Sequence, residues 1–305
     1  MKLLVEPDDG IGPILAELKR AKSSIDTTIF RFDLAEVEKS LQSAVERGVK
    51  VRALIAHTNR GGEKLLRKLE LRFLEHGITL ARSDDDLVRY HGKMVVVDRA
   101  SLTVMLFNYT RLDTARSRSF AVTTRNRRLV AEALKLFEAD MARQPYVPGL
   151  GAFVVSPENS RTVLADFIKG ARRELLIYDP KVSDRTMVKL LRERAKKGVS
   201  IRVLGKLGER AAGLTAEKLP ALRLHARVII RDGRRAFLGS QSLRELELDA
   251  RREVGIIVDD PGVVKKLVTV FESDWEGTPQ AARKEANATA STSVDAPAAA
   301  VGSEA

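Results

Sequence analysis

Apolar residues recur along this chain at two alternating spacings. Over Ile14–Ala21 and Leu34–Glu46 they fall three and four apart, the stripe of a helix burying one face, and Gly48 stands behind the second as a C-cap. Val49–Ile55 instead sets Val49, Val51 and Ala53 against Lys50 and Arg52 before turning wholly apolar, which predicts a largely buried strand. Short β-branched runs follow at Met94–Val97, Leu102–Phe107 and Phe120–Thr124, and helical spacing returns over Arg127–Met141. Strands alternating with helices predict α/β units on a mixed sheet.

The same succession is then written a second time. Val5-Glu6-Pro7 returns as Val155-Ser156-Pro157, and Arg47-Gly48-Val49-Lys50-Val51-Arg52 as Lys197-Gly198-Val199-Ser200-Ile201-Arg202, both 150 residues on. Further along the offset is 134, pairing His91 with His225, Asp98 with Asp232, Phe137 with Phe271 and Asp140 with Asp274. The second copy therefore lacks about 16 residues, most simply a helix between Leu204 and Leu222. Residues 1–145 and 150–277 are expected to be homologous α/β halves in pseudo-two-fold relation, joined at the Pro/Gly-rich Gln144–Gly151. Residues 278–305, rich in Ala, Ser and Thr and without Leu, Ile or aromatics, bury too little to order themselves and are expected to form a disordered tail.

Composition narrows the chemistry. With 44% hydrophobic and 31% charged residues the chain is a globular protein, and no apolar run approaches the roughly 18 residues of a membrane span. The first residues are too briefly apolar for a secretion signal, so a cytoplasmic protein is expected, touching at most the inner face of a membrane. The net charge of +12 is evenly spread, with 26 basic and 20 acidic residues up to Leu150 and 27 and 21 after it. It favours anionic partners without marking one basic lobe. Cysteine is absent, which removes thiol nucleophiles and cysteine metal sites, and only four histidines remain.

Two of those four stand in equivalent places. Arg89-Tyr90-His91-Gly92-Lys93 enters Met94–Val97 and ends at Asp98; Leu224-His225-Ala226-Arg227 enters Val228–Arg231 and ends at Asp232. Both read His-x-cation-x4-Asp. On a strand the histidine and the cation share a face, whereas Asp98 and Asp232 have the opposite parity and fall where the strand turns, which makes them braces rather than substrate contacts. His57 and His76 have no such setting and fit loop and helix-cap roles, and the run Asp84-Asp85-Asp86 fits a solvated loop.

Two imidazoles and two cations brought together by a pseudo-dyad suit a phosphodiester. One neutral imidazole attacks phosphorus, the other gives a proton to the leaving oxygen, and the cations balance charge on the remaining oxygens. No metal and no cofactor is called for.

The chain resembles the phospholipase D superfamily, whose mark is His-x-Lys-x4-Asp in two copies. The likeness runs from about Met1 to Trp275 and includes Gly77-Ile78-Thr79-Leu80 and the closing Phe137-Glu138-Ala139-Asp140 and Phe271-Glu272-Ser273-Asp274-Trp275. It implies two α/β/α sandwich halves with mixed central sheets and one site at their interface, in a monomer. It also implies His91 as nucleophile and His225 as acid and base.

Family members carry Gly-Ser-x-Asn after each histidine. Here the first copy keeps Asn108 in Met105-Leu106-Phe107-Asn108, and the second keeps Ser240 but places Ser242 where the Asn belongs. A later acid, which in relatives orients the opposite half's histidine, is Glu253 in the second copy and Ser119 in the first. The resemblance thus implies that Glu253 supports His91 and that His225 faces Ser119 without a carboxylate. Arg227 departs from the family's Lys, and its planar fork changes the geometry around a phosphate.

Phospholipid is the favoured phosphodiester, hydrolysed or transferred through a phosphohistidine, with peripheral membrane contact. Nucleic acid is the alternative. Aromatic content of 5% offers few stacking platforms, which weighs against a nuclease. A weakened phosphate- or membrane-binding protein is the third reading.

Overall fold

A computed structural model describes residues 1–59, 63–211 and 213–279. The expected tail lies, from residue 280 onward, outside the described residues. The first copy runs β1 (Lys2–Glu6), α1 (Gly12–Lys19), β2 (Ser24–Ile29), α2 (Ala35–Glu46), β3 (Lys50–Ile55), α3 (Glu63–Glu75) and β4 (Thr79–Arg82). It continues with β5 (Arg89–Tyr90), β6 (Met94–Val97), β7 (Ser101–Met105), α4 (Arg111–Arg116), β8 (Ser117–Thr124) and α5 (Arg127–Met141). The second runs β9 (Phe153–Ser156), α6 (Ser160–Lys169), β10 (Glu174–Val182), α7 (Arg185–Lys196), β11 (Ser200–Leu207) and β12 (Thr215–Glu217). It ends with β13 (Arg223–Leu224), β14 (Val228–Arg231), β15 (Arg235–Gly239), α8 (Glu245–Asp249), β16 (Arg251–Val258) and α9 (Pro261–Glu276). Every element of the first copy except α3 has a counterpart, and a single 3-10 turn at Glu209–Ala211 stands in its place.

Each copy builds a mixed sheet. The first is ordered β1-β8-β7-β6-β2-β3-β4, with β2, β3 and β4 parallel and the other pairings antiparallel. The second repeats this as β9-β16-β15-β14-β10-β11-β12. Crossover helices explain the parallel part: α2 carries the chain from β2 to β3 and buries Val37 and Leu41, and α7 does the same between β10 and β11 with Met187 and Leu191.

The sheets also exchange strands. β5 leaves its own half and adds in parallel to β16, pairing Arg89 with Arg251 and Tyr90 with Arg252. β13 returns the exchange on β8, pairing Arg223 with Ser117 and Leu224 with Arg118. One apolar cluster spans both sheets together with α5 and α9, carried by Phe120, Tyr178, Phe271 and Trp275 in successive ring contact. Two further clusters sit under the outer helices of each half.

Reciprocal ion pairs fix the register between the halves. Arg118 on β8 grips Asp274 on α9 at 2.9 Å, and Arg252 on β16 reaches Asp140 on α5 at 3.2 Å. These Asp residues close the Phe-x-x-Asp repeats of the sequence. Such buried pairs add little net stability, yet losing one partner strands a charge at a cost of about 3–5 kcal/mol. Specifying one docking arrangement is what they do best.

Candidate active site

The histidines sit where the chain crosses from one sheet to the other. His91 donates its backbone N–H to the Arg252 carbonyl at 2.7 Å, in the second half. Two residues later the Lys93 carbonyl accepts from Met105, in the first. His225 likewise bonds Arg118 across the interface, and Arg227 bonds Gly239 within its own half. The motifs were expected on one continuous strand, with histidine and cation sharing a face. They lie instead in the three-residue links β5–β6 and β13–β14, because β5 and β13 belong to the opposite sheets. Gly92, at the crossing, approaches so closely that a Cβ there would meet Val254 Cγ2 at 2.6 Å.

Each imidazole is backed by a carboxylate from the other half. His91 Nδ1 lies 2.8 Å from Glu253 Oε2, and Glu253 is fully buried. A carboxylate there accepts the Nδ1 proton and leaves a lone pair on Nε2. The Phe30 ring meets His91 edge-on at 4.6 Å and fixes its plane. Burial first, then the charges of Lys93, Arg227 and His225, holds the His91 imidazole well below its ordinary value, so the ring is neutral.

His225 also has a carboxylate, which corrects the expectation that it lacks one. Its Nδ1 is 3.2 Å from Asp113 Oδ2, though without the alignment of a hydrogen bond. Asp113 is held rigidly: Asn108 donates to the same oxygen from its side chain at 2.7 Å and from its backbone at 2.8 Å, and Arg223 reaches the other oxygen. Burial pushes the Asp113 carboxyl up, but His225 and the Asn108 donors outweigh it and hold it below the carboxylate range. Burial lowers His225 to about 4, with Asp113 opposing the shift.

Asp113 lies on α4, where Thr110 caps the helix and accepts from the Asp113 N–H. Its counterpart in α8, Glu247, binds Arg244 and Arg251 instead of a histidine. Ser119, at the position of the expected acid, donates to the His225 carbonyl at 2.9 Å. Beside Ser119 on the ladder stands Glu6, as Ser156 stands beside Glu253, so the strand carboxylate has crossed to the neighbouring strand. Burial, then Asp9, pushes Glu6 up to about 7.

The cations complete the site. Lys93 is buried, with Nζ on the His91 carbonyl at 2.5 Å and 5.4 Å from the Phe30 ring centroid. Burial brings its ammonium down to about 7. Arg227 touches Ser242 at 3.4 Å, while its Nη1 is buried without a hydrogen-bond acceptor. A buried donor without a partner costs about 1–3 kcal/mol, a penalty that a phosphate oxygen would remove. Ser240 holds β16 in place through the Val254 amide at 3.1 Å, next to Glu253.

Asp98 and Asp232, counted with the motif, are braces. Each stands at positive φ in its hairpin turn and accepts from the start of a neighbouring strand: Asp98 from the amides of Lys22, Ser23 and Ser24, Asp232 from those of Arg172, Arg173 and Glu174. Among the described residues no three His, Asp or Glu side chains are grouped as metal ligands would be, and no helix is long and apolar enough to cross a membrane.

Beside Asn108 and Asp113 opens a cleft of about 300 Å³, lined by Phe32, Leu65, Leu66 and Leu112 together with the polar Arg31, Asp33, Asn59 and Thr110. Leu65 and Leu66 come from α3, the helix without a helical counterpart in the second half.

Comparison with known proteins bears on the family and the fold. The family model described as cardiolipin synthase, PLD-like domain, matches residues 14–141 and 164–275. Among curated proteins none matches. A solved polyphosphate kinase from Porphyromonas gingivalis is similar over 90% of this chain, with a TM-score of 0.75 and 18% identity; the chain spans 50% of that kinase. A phosphatidylserine synthase from Haemophilus influenzae Rd KW20 is similar over 90% of this chain and 85% of its own, with a TM-score of 0.67 and 11% identity. Nuc from Salmonella typhimurium, a phospholipase D family member, covers 48% of the chain at 21% identity and a TM-score of 0.43.

Proposed function

Because the chain belongs to the PLD-like domain family, we propose that it is a phosphodiesterase acting on phosphatidyl groups through a phosphohistidine. One observation carries this reading: each motif histidine has its Nδ1 against a carboxylate from the opposite half, which leaves its Nε2 for substrate. His91 Nε2 attacks phosphorus and the P–O bond to the leaving alcohol breaks. His225, protonated, gives its proton to that oxygen. Water or a second alcohol then loses a proton to His225 and attacks, breaking the N–P bond. A bound phosphodiester anion raises the proton affinity of His225 for the first step. Lys93 and Arg227 hold the non-bridging oxygens.

The two carboxylates divide the work. Glu253 is aligned with the nucleophile, whereas Asp113 is shared with Asn108 and sits off line from His225. On a substrate with a good leaving group, whose departure needs no acid, Asp113→Asn should therefore slow steady-state turnover by about tenfold and leave the burst of adduct formation unchanged, as rapid-quench kinetics would read. A smaller burst would mean that Asp113 serves the first step.

Phe32, Leu65, Leu66 and Leu112 in the mixed cleft beside Asp113 favour a lipid, since a nucleic acid would place sugars and bases against them. The test is a panel of phosphatidylglycerol, phosphatidylcholine, single-stranded DNA and polyphosphate, with a chelator present and His91→Ala as control. Lipid turnover lost in the variant supports the reading. DNA cleavage lost in the variant would make the chain a nuclease, and consumption of polyphosphate a phosphotransferase. Binding without turnover would leave a phosphate-binding protein.

A further inference from the structure

Helix α7 carries Arg185, Lys189, Arg192 and Lys196, spaced four, three and four residues apart. At 100° per residue they fall within about 60° of one another and form a straight row about 16 Å long. All four are exposed, and among the described residues none of their side chains makes an ion pair or a hydrogen bond. The buried face of α7, formed by Met187, Val188 and Leu191, points elsewhere.

The internal repeat supplies a control for what the fold requires. The counterpart helix α2 occupies the same crossover and buries Val37 and Leu41 where α7 buries Met187 and Leu191. At the positions of the four cations, α2 has Ala35, Lys39, Gln42 and Glu46. The crossover folds without the basic row, so packing does not account for it.

The row also starts at the site. Asp184 caps α7, and the amides of Ser183 and Asp184 bond the Leu243 carbonyl at 2.9 Å. Leu243 follows Ser242, which accepts from Arg227.

We propose that this face of α7 docks the protein on an anionic lipid bilayer beside its active site. A headgroup plane presents negative charge along the whole row, whereas a straight row meets a convex nucleic-acid duplex at a single crossing. The exposed neighbours are Thr186 and Glu193, with no aromatic ring to stack on bases. Choosing a lipid surface rests on the phosphatidyl reading.

The experiment uses the full chain and a variant in which Arg185, Lys189, Arg192 and Lys196 are all changed to Gln. A second variant removes equal charge elsewhere, with Lys2, Lys39, Lys64 and Lys68 changed to Gln. Binding to phosphatidylcholine vesicles with and without phosphatidylglycerol is measured by sedimentation. Each basic residue near an anionic surface contributes roughly a fivefold gain, so the α7 variant should bind anionic vesicles roughly several hundredfold more weakly. The control variant should lose far less, and added salt should weaken the unaltered chain. Equal loss in both variants would reduce the effect to net charge and overturn the proposal, as would undiminished binding by the α7 variant. Loss of duplex DNA binding with vesicle binding intact would overturn it in favour of nucleic acid. Turnover of a water-soluble short-chain phosphatidyl substrate by the unaltered chain tests the lipid reading separately, so the two fail independently.

Discussion

Replacing His91 by Ala should lower turnover by at least about 10⁴-fold, and no adduct should form. The methyl group leaves nothing to attack phosphorus, and His225 is a poor substitute because its Nδ1 lies off line from Asp113, which therefore does not fix the lone pair on Nε2. His225→Ala should behave differently on a substrate with a good leaving group. There the first step needs no acid, so one equivalent of product should appear in a burst and the adduct should then persist. Quenched-flow and intact-mass measurements separate the two outcomes. A burst from His91→Ala, or none from His225→Ala with an activated substrate, would reverse the roles assigned to the two rings.

Glu253→Gln should cost about 10²- to 10⁴-fold in adduct formation while the protein remains folded. The amide is nearly isosteric, yet it offers an N–H to His91 Nδ1. Accepting that bond would move the imidazole proton to Nε2 and remove the attacking lone pair. Burial raises the Glu253 carboxyl, and its Oε1 has no hydrogen bond, so exchanging a buried acid for an amide should not lower the melting temperature. Unchanged adduct formation by Glu253→Gln would remove Glu253 from the mechanism.

Much of this site is legible along the chain, because its signals are local. The motif histidines, their cations and the braces Asp98 and Asp232 lie within eight residues of one another in each copy, and α5 falls on its periodic stretch, Arg127–Met141. Glu253 is legible only by resemblance. Asp113 is not legible at all: it stands 22 residues after His91, inside Thr110-Arg111-Leu112-Asp113, and reads as an ordinary acid in the first turn of a helix. Nothing short of the folded interface shows that His225 lies against it. The strand exchange escapes for a related reason. β5 and β13 are two residues each, too short to show a period, and they pair with the other half. Parity along an assumed single strand therefore placed histidine and cation on one face, whereas the chain changes sheets between them.

That exchange bears on when the chemistry becomes possible as the chain is made. His91 emerges from the ribosome long before β16, which carries Glu253 and the Arg252 carbonyl that grips the His91 amide. Until β16 arrives, the first half holds His91 with no counter-carboxylate and an orphaned two-residue strand. Assembly of the reaction centre is thus tied to synthesis of the chain through β16, and a product truncated before Arg251 lacks both the Glu253 carboxylate and the strand that receives β5.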